Sequence, residues 1–82
     1  MAQLLLLVAY TAKPGMRESF VCQVRDAGIL DAIRRENGCL QYDYFYSEED
    51  ENLLLLVEKW ETEECQKVHM EQPHMKKLAK IK

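Results

Sequence analysis

Several features that would point to a particular chemistry are missing from this sequence. Its three cysteines, Cys22, Cys39 and Cys65, are widely spaced, with no CxxC pair and no Cys/His ligand spacing. The odd number argues against a disulfide framework, the spacing gives no support to a zinc site, and reduced thiols fit the cytoplasm. Gly-rich phosphate loops, GxSxG elbows and HExxH helices are also missing, so nucleotide, serine-hydrolase and zinc-protease chemistry have no support.

Clustered positive charge and long apolar runs are scarce as well. The formal net charge of the 82 residues is −3, and the lysines concentrate only between Lys76 and Lys82, where they complement the dipole of a predicted helix. Binding of nucleic acid needs a clustered basic face, so nucleic acid is not an expected partner. The apolar run from Leu4 to Ala9 is far shorter than the roughly 20 residues of a membrane span, so we expect no membrane association.

Periodicity predicts the elements of the first half of the chain. Leu4 to Thr11 form a strand, which Lys13-Pro14-Gly15 ends. A helix follows, with Asn37-Gly38 as its left-handed stop and Gly28 as a candidate break. The apolar stripe of this helix consists of Met16, Phe20, Val24, Ala27, Leu30 and Ile33.

The second half begins with a predicted hairpin. Its strands run from Leu40 to Tyr46 and from Leu53 to Trp60. Thr62 is the expected N-cap of the next helix, which should break near Glu71-Gln72, before Pro73, and restart to about Ile81. The order β-α-β-β-α predicts one domain over residues 1–82: a ferredoxin-like α+β sandwich with an antiparallel sheet and without its closing strand.

Two of the strands are apolar at successive positions, over Leu4 to Ala9 and over Leu53 to Val57. Successive strand residues point to opposite faces, so both faces of the sheet are apolar there. Two helices can cover only one face. We therefore expect a homodimer in which the second faces pack sheet to sheet.

The segment ENGCLQYDYFYSEEDENLLLLVEKWETEECQKVHMEQPH resembles the antibiotic-biosynthesis-monooxygenase (ABM) family, and the resemblance extends over roughly residues 3 to 80. Its most specific parts are Gly38 to Tyr42, Glu58-Lys59-Trp60, and His69 followed by Pro73-His74. The resemblance implies a dimeric α+β barrel with a pocket between sheet and helices. In some members that pocket serves cofactor-independent oxygenation of quinols or polyphenols.

The sequence departs from parts of the family pattern. Haem-degrading relatives carry an asparagine on the first strand and a tryptophan on the second helix, where a rough alignment places Leu7 and His69. Haem degradation is therefore not expected. Family members also continue into a final strand, whereas this sequence ends at Lys82, so we expect a bare sheet edge unless a partner covers it.

His69 is the first candidate catalytic residue, because an imidazole beside an apolar pocket can accept a phenolic proton near neutral pH. The alternative is a hydrogen-bonded structural histidine. His74 is the second catalytic candidate, although a residue directly after Pro73 also suits backbone bridging at the helix break.

Four further residues are candidate substrate contacts. Trp60 can stack on an aromatic substrate, and Glu58, on the same strand face, can orient an imidazole. Tyr42 and Tyr44 can contribute a phenol to the pocket. Core filling for Trp60, an ion pair for Glu58 and packing for the tyrosines are the structural alternatives.

These observations leave three functions open. The leading hypothesis is a monooxygenase that uses dioxygen on a small aromatic or quinol substrate, with no metal or other cofactor. The second is an isomerase or lyase-like enzyme that moves protons on a small carbonyl compound, such as a signal molecule. The third is a non-catalytic ligand-binding dimer.

Overall fold

The strands and their order agree with the sequence prediction. In a computed structural model that describes residues 3–81, β1 (Leu4–Thr11), β2 (Cys39–Tyr46) and β3 (Leu53–Trp60) form an antiparallel sheet in the order β1-β3-β2. β1 and β3 keep the predicted bounds, and β2 begins one residue earlier than expected. The fold is ferredoxin-like α+β, as predicted, with β3 at the centre of the sheet.

Four helices cover the inner face of the sheet: α1 (Arg17–Asp26), α2 (Ile29–Arg34), α3 (Glu63–Met70) and α4 (Pro73–Ile81). The candidate break at Gly28 is confirmed, because Gly28 has a φ of 76° and separates α1 from α2. The break before Pro73 is confirmed too. Within residues 3–81 we find no helix that is both long enough and apolar enough to span a bilayer.

Local capping explains where α3 begins. The Thr62 side chain accepts a hydrogen bond from the backbone N–H of Cys65 at 3.2 Å, as expected of the predicted N-cap. Glu63 and Glu64 then place negative charge in the first turn, next to the positive end of the helix dipole.

The core lies between the helices and the inner face of the sheet. Buried apolar side chains form one cluster, which consists of Val24, Ile29, Leu30, Ile33, Tyr42, Leu56, Trp60 and Leu78. Two residues of the predicted helical stripe are exposed instead, Met16 and Ala27. They occupy the N-cap and C-cap of α1, and a stripe drawn through one continuous helix does not hold across the turn at Gly28.

The outer face of the sheet carries exposed apolar side chains, with the charged Asp43 and Lys59 on the same face. Along β1, half-buried and exposed residues alternate strictly. Leu7 is 63% exposed, and Phe45 on β2 is 50% exposed. They lie on the same face as the outward residues of β3, with Leu7 opposite Val57 and Phe45 opposite Leu55.

Arg17 anchors the hairpin turn, which the sequence analysis did not anticipate. Its Nη1 donates hydrogen bonds to the carbonyls of Ser47, Asp50 and Leu53 at 3.0, 2.9 and 3.0 Å. The guanidinium also lies 4.4 Å from the ring centroid of Tyr46. A buried arginine at the start of α1 therefore satisfies turn carbonyls at least 30 residues away in sequence.

Gly38 lies where the chain enters β2 against α3. Its φ is 83°, and a Cβ added there would lie 2.5 Å from Cys65 Sγ. Gly15 also has a positive φ, 75°, but no atom lies within 4 Å of its Cβ position. Gly38 is thus required both by its backbone conformation and by the close approach of α3.

We expect Gly38→Ala to lower the free energy of unfolding by about 2–4 kcal/mol, since it adds a steric clash to left-handed strain. Gly15→Ala is the matched control, because it carries only the strain, about 1–2 kcal/mol. Urea denaturation of both variants measures the difference. Equal losses would contradict the proposed close approach.

Candidate functional site

Two imidazoles meet on one carboxylate between the helices and the sheet. His69 Nδ1 lies 2.8 Å from Glu36 Oε2, and His74 Nε2 lies 2.7 Å from the same oxygen. Both distances are those of charge-assisted hydrogen bonds. We call Glu36, His69 and His74 the His–Glu cluster. Its donor and acceptor atoms all lie within 4.8 Å of one another.

Three separate segments bring the His–Glu cluster together. His69 lies in the last turn of α3, and His74 is the second residue of α4, so the break at Pro73 directs both rings toward one point. Glu36 lies between α2 and β2. Glu36 is not among the residues predicted from the sequence, because no spacing signal links it to His69, 33 residues later.

His69 is packed among aromatic rings on its other side. It is 1% exposed, and its ring centroid lies 4.6 Å from that of Trp60 and 5.7 Å from that of Tyr42. Trp60 Nε1 donates to Glu58 Oε1 at 3.1 Å. The same Glu58 oxygen lies 3.9 Å from His69 Nε2, which has no hydrogen-bond partner.

The structure thus gathers five of the six predicted site residues: Tyr42, Glu58, Trp60, His69 and His74. The sixth, Tyr44, is the next inward residue of β2, and its ring contacts Tyr42 and Phe20 at centroid distances of 6.1 and 5.8 Å. The contacts describe a packed polar and aromatic group. The catalytic and substrate-binding roles of these residues stay predictions.

The hollow expected beside His69 is filled by the rings of Trp60 and Tyr42. A cavity of about 390 Å³ lies elsewhere, and none of the six predicted residues lines it. Tyr42 contributes to a smaller cavity, of about 270 Å³. Residues that line the larger cavity include Tyr10, Lys13, Met16, Phe20, Leu54 and Ile81.

The larger cavity and His69 lie at opposite ends of the sheet. Tyr10 pairs with Leu54 at the cavity end, and Leu4 pairs with Trp60 at the other. Trp60 lies six residue steps along extended β3 from Leu54, which corresponds to roughly 20 Å at the usual rise per residue. A molecule bound in the cavity therefore does not contact the imidazole of His69.

Burial keeps the inner phenols protonated. Desolvation raises the pKa of Tyr42, and the neighbouring Tyr44 and Glu58 raise it further. Desolvation also raises the pKa of Tyr44 to about 12, partly offset by a hydrogen bond with Tyr42. Both hydroxyls are therefore neutral donors at physiological pH.

The thiol of Cys39 is also kept protonated. Burial raises its pKa, and the carboxylates of Glu36 and Glu58 raise it further. Since the thiolate is the nucleophilic form of cysteine, the environment of Cys39 opposes nucleophilic catalysis.

The raised pKa of Tyr44 predicts alkaline destabilisation. The unperturbed pKa of a tyrosine is near 10, and the folded-state pKa of Tyr44 is about 12. The protonated phenol therefore makes its full contribution to the free energy of unfolding below pH 10. That contribution is lost as the pH rises from 10 toward 12. Tyr44→Phe should show a smaller loss of stability over this range in denaturant titrations at several pH values. An unchanged pH dependence would contradict the buried environment of the phenol.

The fold and its inner polar group define a ferredoxin-like α+β domain with one buried imidazole, His69, and one partly exposed imidazole, His74. The profile of the antibiotic biosynthesis monooxygenase family matches residues 4–81. The chain belongs to this family, which confirms the resemblance found in the sequence. A relative in Bacillus subtilis, named "Putative monooxygenase YcnE", is 35% identical over 72 residues, which cover 87% of this chain and 74% of that protein.

Solved structures share the fold. A protein from Pseudomonas aeruginosa superposes with a TM-score of 0.82 at 28% identity, over 96% of this chain and 78% of that one. One from Nitrosomonas europaea gives a TM-score of 0.85 at 22% identity, over 96% of this chain and 74% of that one. The second likeness shows the fold alone.

Proposed function

We propose that this protein is a cytoplasmic monooxygenase that oxidises a small aromatic or quinol substrate with dioxygen, without a metal or flavin. The observation that carries the proposal is the mostly apolar cavity of about 390 Å³ between β1, α1 and α4. This volume falls in the range of small-molecule sites, about 300–1,000 Å³. Membership of the antibiotic biosynthesis monooxygenase family supports the reaction class.

The walls of the cavity suit an electron-rich ring. Phe20 and Leu54 supply apolar surface, and Tyr10 supplies an aromatic face. Lys13 and Gln23 place an ammonium and an amide at the same cavity. A cation beside a phenolate stabilises the anion, which is the form of the substrate that transfers electrons to dioxygen most readily.

The proposed reaction needs no external reductant. The substrate gains one oxygen atom on a ring carbon and loses two hydrogen atoms in total, so that a quinol becomes a hydroxyquinone. The second atom of dioxygen leaves as water with those two hydrogens. The substrate supplies all the electrons, and the apolar walls limit the access of water to intermediates.

The predicted bases His69 and His74 require a different substrate position. A general base must lie within hydrogen-bond reach of the proton that it removes, about 2.6–3.2 Å. The separation along β3 places His69 far beyond that reach from the cavity. The cavity and the surroundings of Trp60 are therefore alternative substrate sites for the same reaction, and variants distinguish them.

Oxygen uptake with a panel of reduced quinones tests the proposal. We expect uptake above the buffer rate, and a loss of about tenfold or more in Lys13→Gln if the ammonium stabilises a phenolate. Lys67→Gln is the control, because Lys67 forms an exposed ion pair on α3, 3.5 Å from Glu63. Uptake no faster than in buffer for every quinol would refute the monooxygenase.

The location of the site follows from two further variants. If Phe20→Ala changes KM for the quinol and His69→Gln does not, substrate binds in the larger cavity. The opposite result places it beside Trp60. Turnover under argon would instead favour the second hypothesis, proton transfer on a carbonyl compound, since the two imidazoles on one carboxylate suit proton exchange.

We also propose that the protein is a homodimer with the outer sheet faces packed together. The face that carries Leu7, Val57, Leu55 and Phe45 is continuous across the three strands. Exposed apolar patches of this kind mark interaction surfaces. A second copy is the occupant that we propose, because one face can be self-complementary in a two-fold arrangement.

Leu7→Glu should convert the dimer to monomer, because it places a carboxylate in an apolar interface without a partner. Val68→Glu is the matched control, since Val68 is 54% exposed on α3, away from the sheet. Sedimentation equilibrium reports the mass of each protein. A monomeric wild type, or a Leu7→Glu variant that stays dimeric, would overturn the proposed interface.

A further inference from the structure

We infer that Glu36, His69 and His74 form a binding site for one divalent metal ion such as Zn²⁺ or Co²⁺. No metal site was expected from the sequence, because the cysteines form no CxxC pair and have no Cys/His ligand spacing. The tertiary structure assembles the donors from three segments instead. The inference goes beyond the proposed oxygenase, which is argued from the cavity at the other end of the sheet.

The donor set fits the ion. Two imidazole nitrogens and one carboxylate oxygen are the ligands of many zinc sites, with an open fourth position for water. Here those atoms are His69 Nδ1, His74 Nε2 and Glu36 Oε2, all within 4.8 Å of one another. His74 is partly exposed, with 19% of its side chain accessible, so solvent can reach the fourth position.

The geometry requires a small opening of the cluster. Ligands about 2.1 Å from a tetrahedral ion lie roughly 3.4 Å apart. The two nitrogen–oxygen distances are now 2.8 and 2.7 Å. Each nitrogen must therefore move about 0.6–0.7 Å away from the Glu36 oxygen, and His74 is the more exposed of the two imidazoles.

A second carboxylate completes the arrangement. Metal-bound histidines usually donate their other ring N–H to a carboxylate or carbonyl, which fixes the tautomer. His69 Nε2 is buried, has no hydrogen-bond partner and lies 3.9 Å from Glu58 Oε1. If Nδ1 binds the ion, the proton resides on Nε2 and faces Glu58. This unpartnered nitrogen is an observation independent of the donor cluster.

The charges also balance with an ion present. The side chains of Glu36 and Glu58 are only 10% and 8% exposed, and buried carboxylates are costly unless they are paired. A divalent cation between them and two neutral imidazoles gives a neutral group. In residues 3–81, no basic side chain other than the two histidines lies within 4 Å of either carboxylate.

The fluorescence of Trp60 can report binding of a metal ion at the His–Glu cluster. Trp60 is the single tryptophan, and its ring centroid lies 4.6 Å from that of His69. Co²⁺ at the cluster should therefore quench the fluorescence of Trp60 in a saturable way. Zn²⁺ should compete with Co²⁺ and restore the fluorescence, because zinc binds such sites more tightly. Calorimetry with Zn²⁺ alone should give one ion per chain.

Substitutions of the proposed ligands test whether the ion binds to them. His74→Gln is the main one, because His74 is the most exposed ligand and its loss should leave the fold intact. Removing a ligand should weaken Zn²⁺ binding by more than the roughly 10–100-fold that loss of an outer-shell partner costs. Glu36→Gln is a second variant with the same expected loss. Circular dichroism without metal confirms that each variant is folded.

Two controls exclude other donors. Glu63→Gln removes an exposed carboxylate from α3, and Cys65→Ser removes the thiol that lies against Gly38. Both should keep the wild-type affinity. The inference is overturned if Co²⁺ does not quench Trp60, if quenching does not saturate, or if folded His74→Gln and Glu36→Gln bind Zn²⁺ as tightly as the wild type.

The test of the metal site and the test of the proposed oxygenase can succeed or fail independently. Oxygen uptake is measured on protein treated with chelator, where the cluster holds no ion. Uptake without metal, together with Zn²⁺ binding, supports both proposals. Failure of uptake with intact Zn²⁺ binding refutes the oxygenase alone, and the reverse result refutes the metal site alone.

Discussion

The fold depends on the alternation of half-buried and buried residues along β3, the central strand. Its inward residues Leu54, Leu56, Glu58 and Trp60 are all buried, while the residues between them are half-buried on the other face. Because β3 pairs with both edge strands, its register places Tyr42 opposite Glu58 and Leu4 opposite Trp60. A shift of one residue would move the whole buried set to the outer face. The inner core and the apolar outer face therefore both follow from this one strand.

The polar groups of the interior depend on contacts between distant segments. Trp60 donates to Glu58 on the same strand, but His69 and His74 are held by Glu36, which lies more than 30 residues earlier. Arg17 acts in the same way on the carbonyls of the hairpin turn. Buried polar groups cost free energy unless they are paired, so these long-range contacts constrain how the helices are placed on the sheet.

The two ends of the sheet have different chemical characters. The end at Trp60 is filled by rings, carboxylates and imidazoles, whereas the end at Leu54 opens into a mostly apolar cavity. Ring packing leaves little room for a substrate beside His69, and the cavity has an ammonium and aromatic walls but no imidazole. Binding of a metal cation at one end and binding of an aromatic molecule at the other are therefore compatible within one small domain.

The sequence by itself determined the strands, the breaks at Gly28 and Pro73, the Thr62 cap and the family, because each depends on periodicity or on local backbone chemistry. It also indicated that both sheet faces are apolar. Only the tertiary structure decided that Glu36 joins the two histidines, that Met16 and Ala27 leave the core, and that the larger cavity lies away from His69. Those features depend on which side chains meet after the helices pack on the sheet, and spacing along a chain carries no information on contacts between segments 30 residues apart.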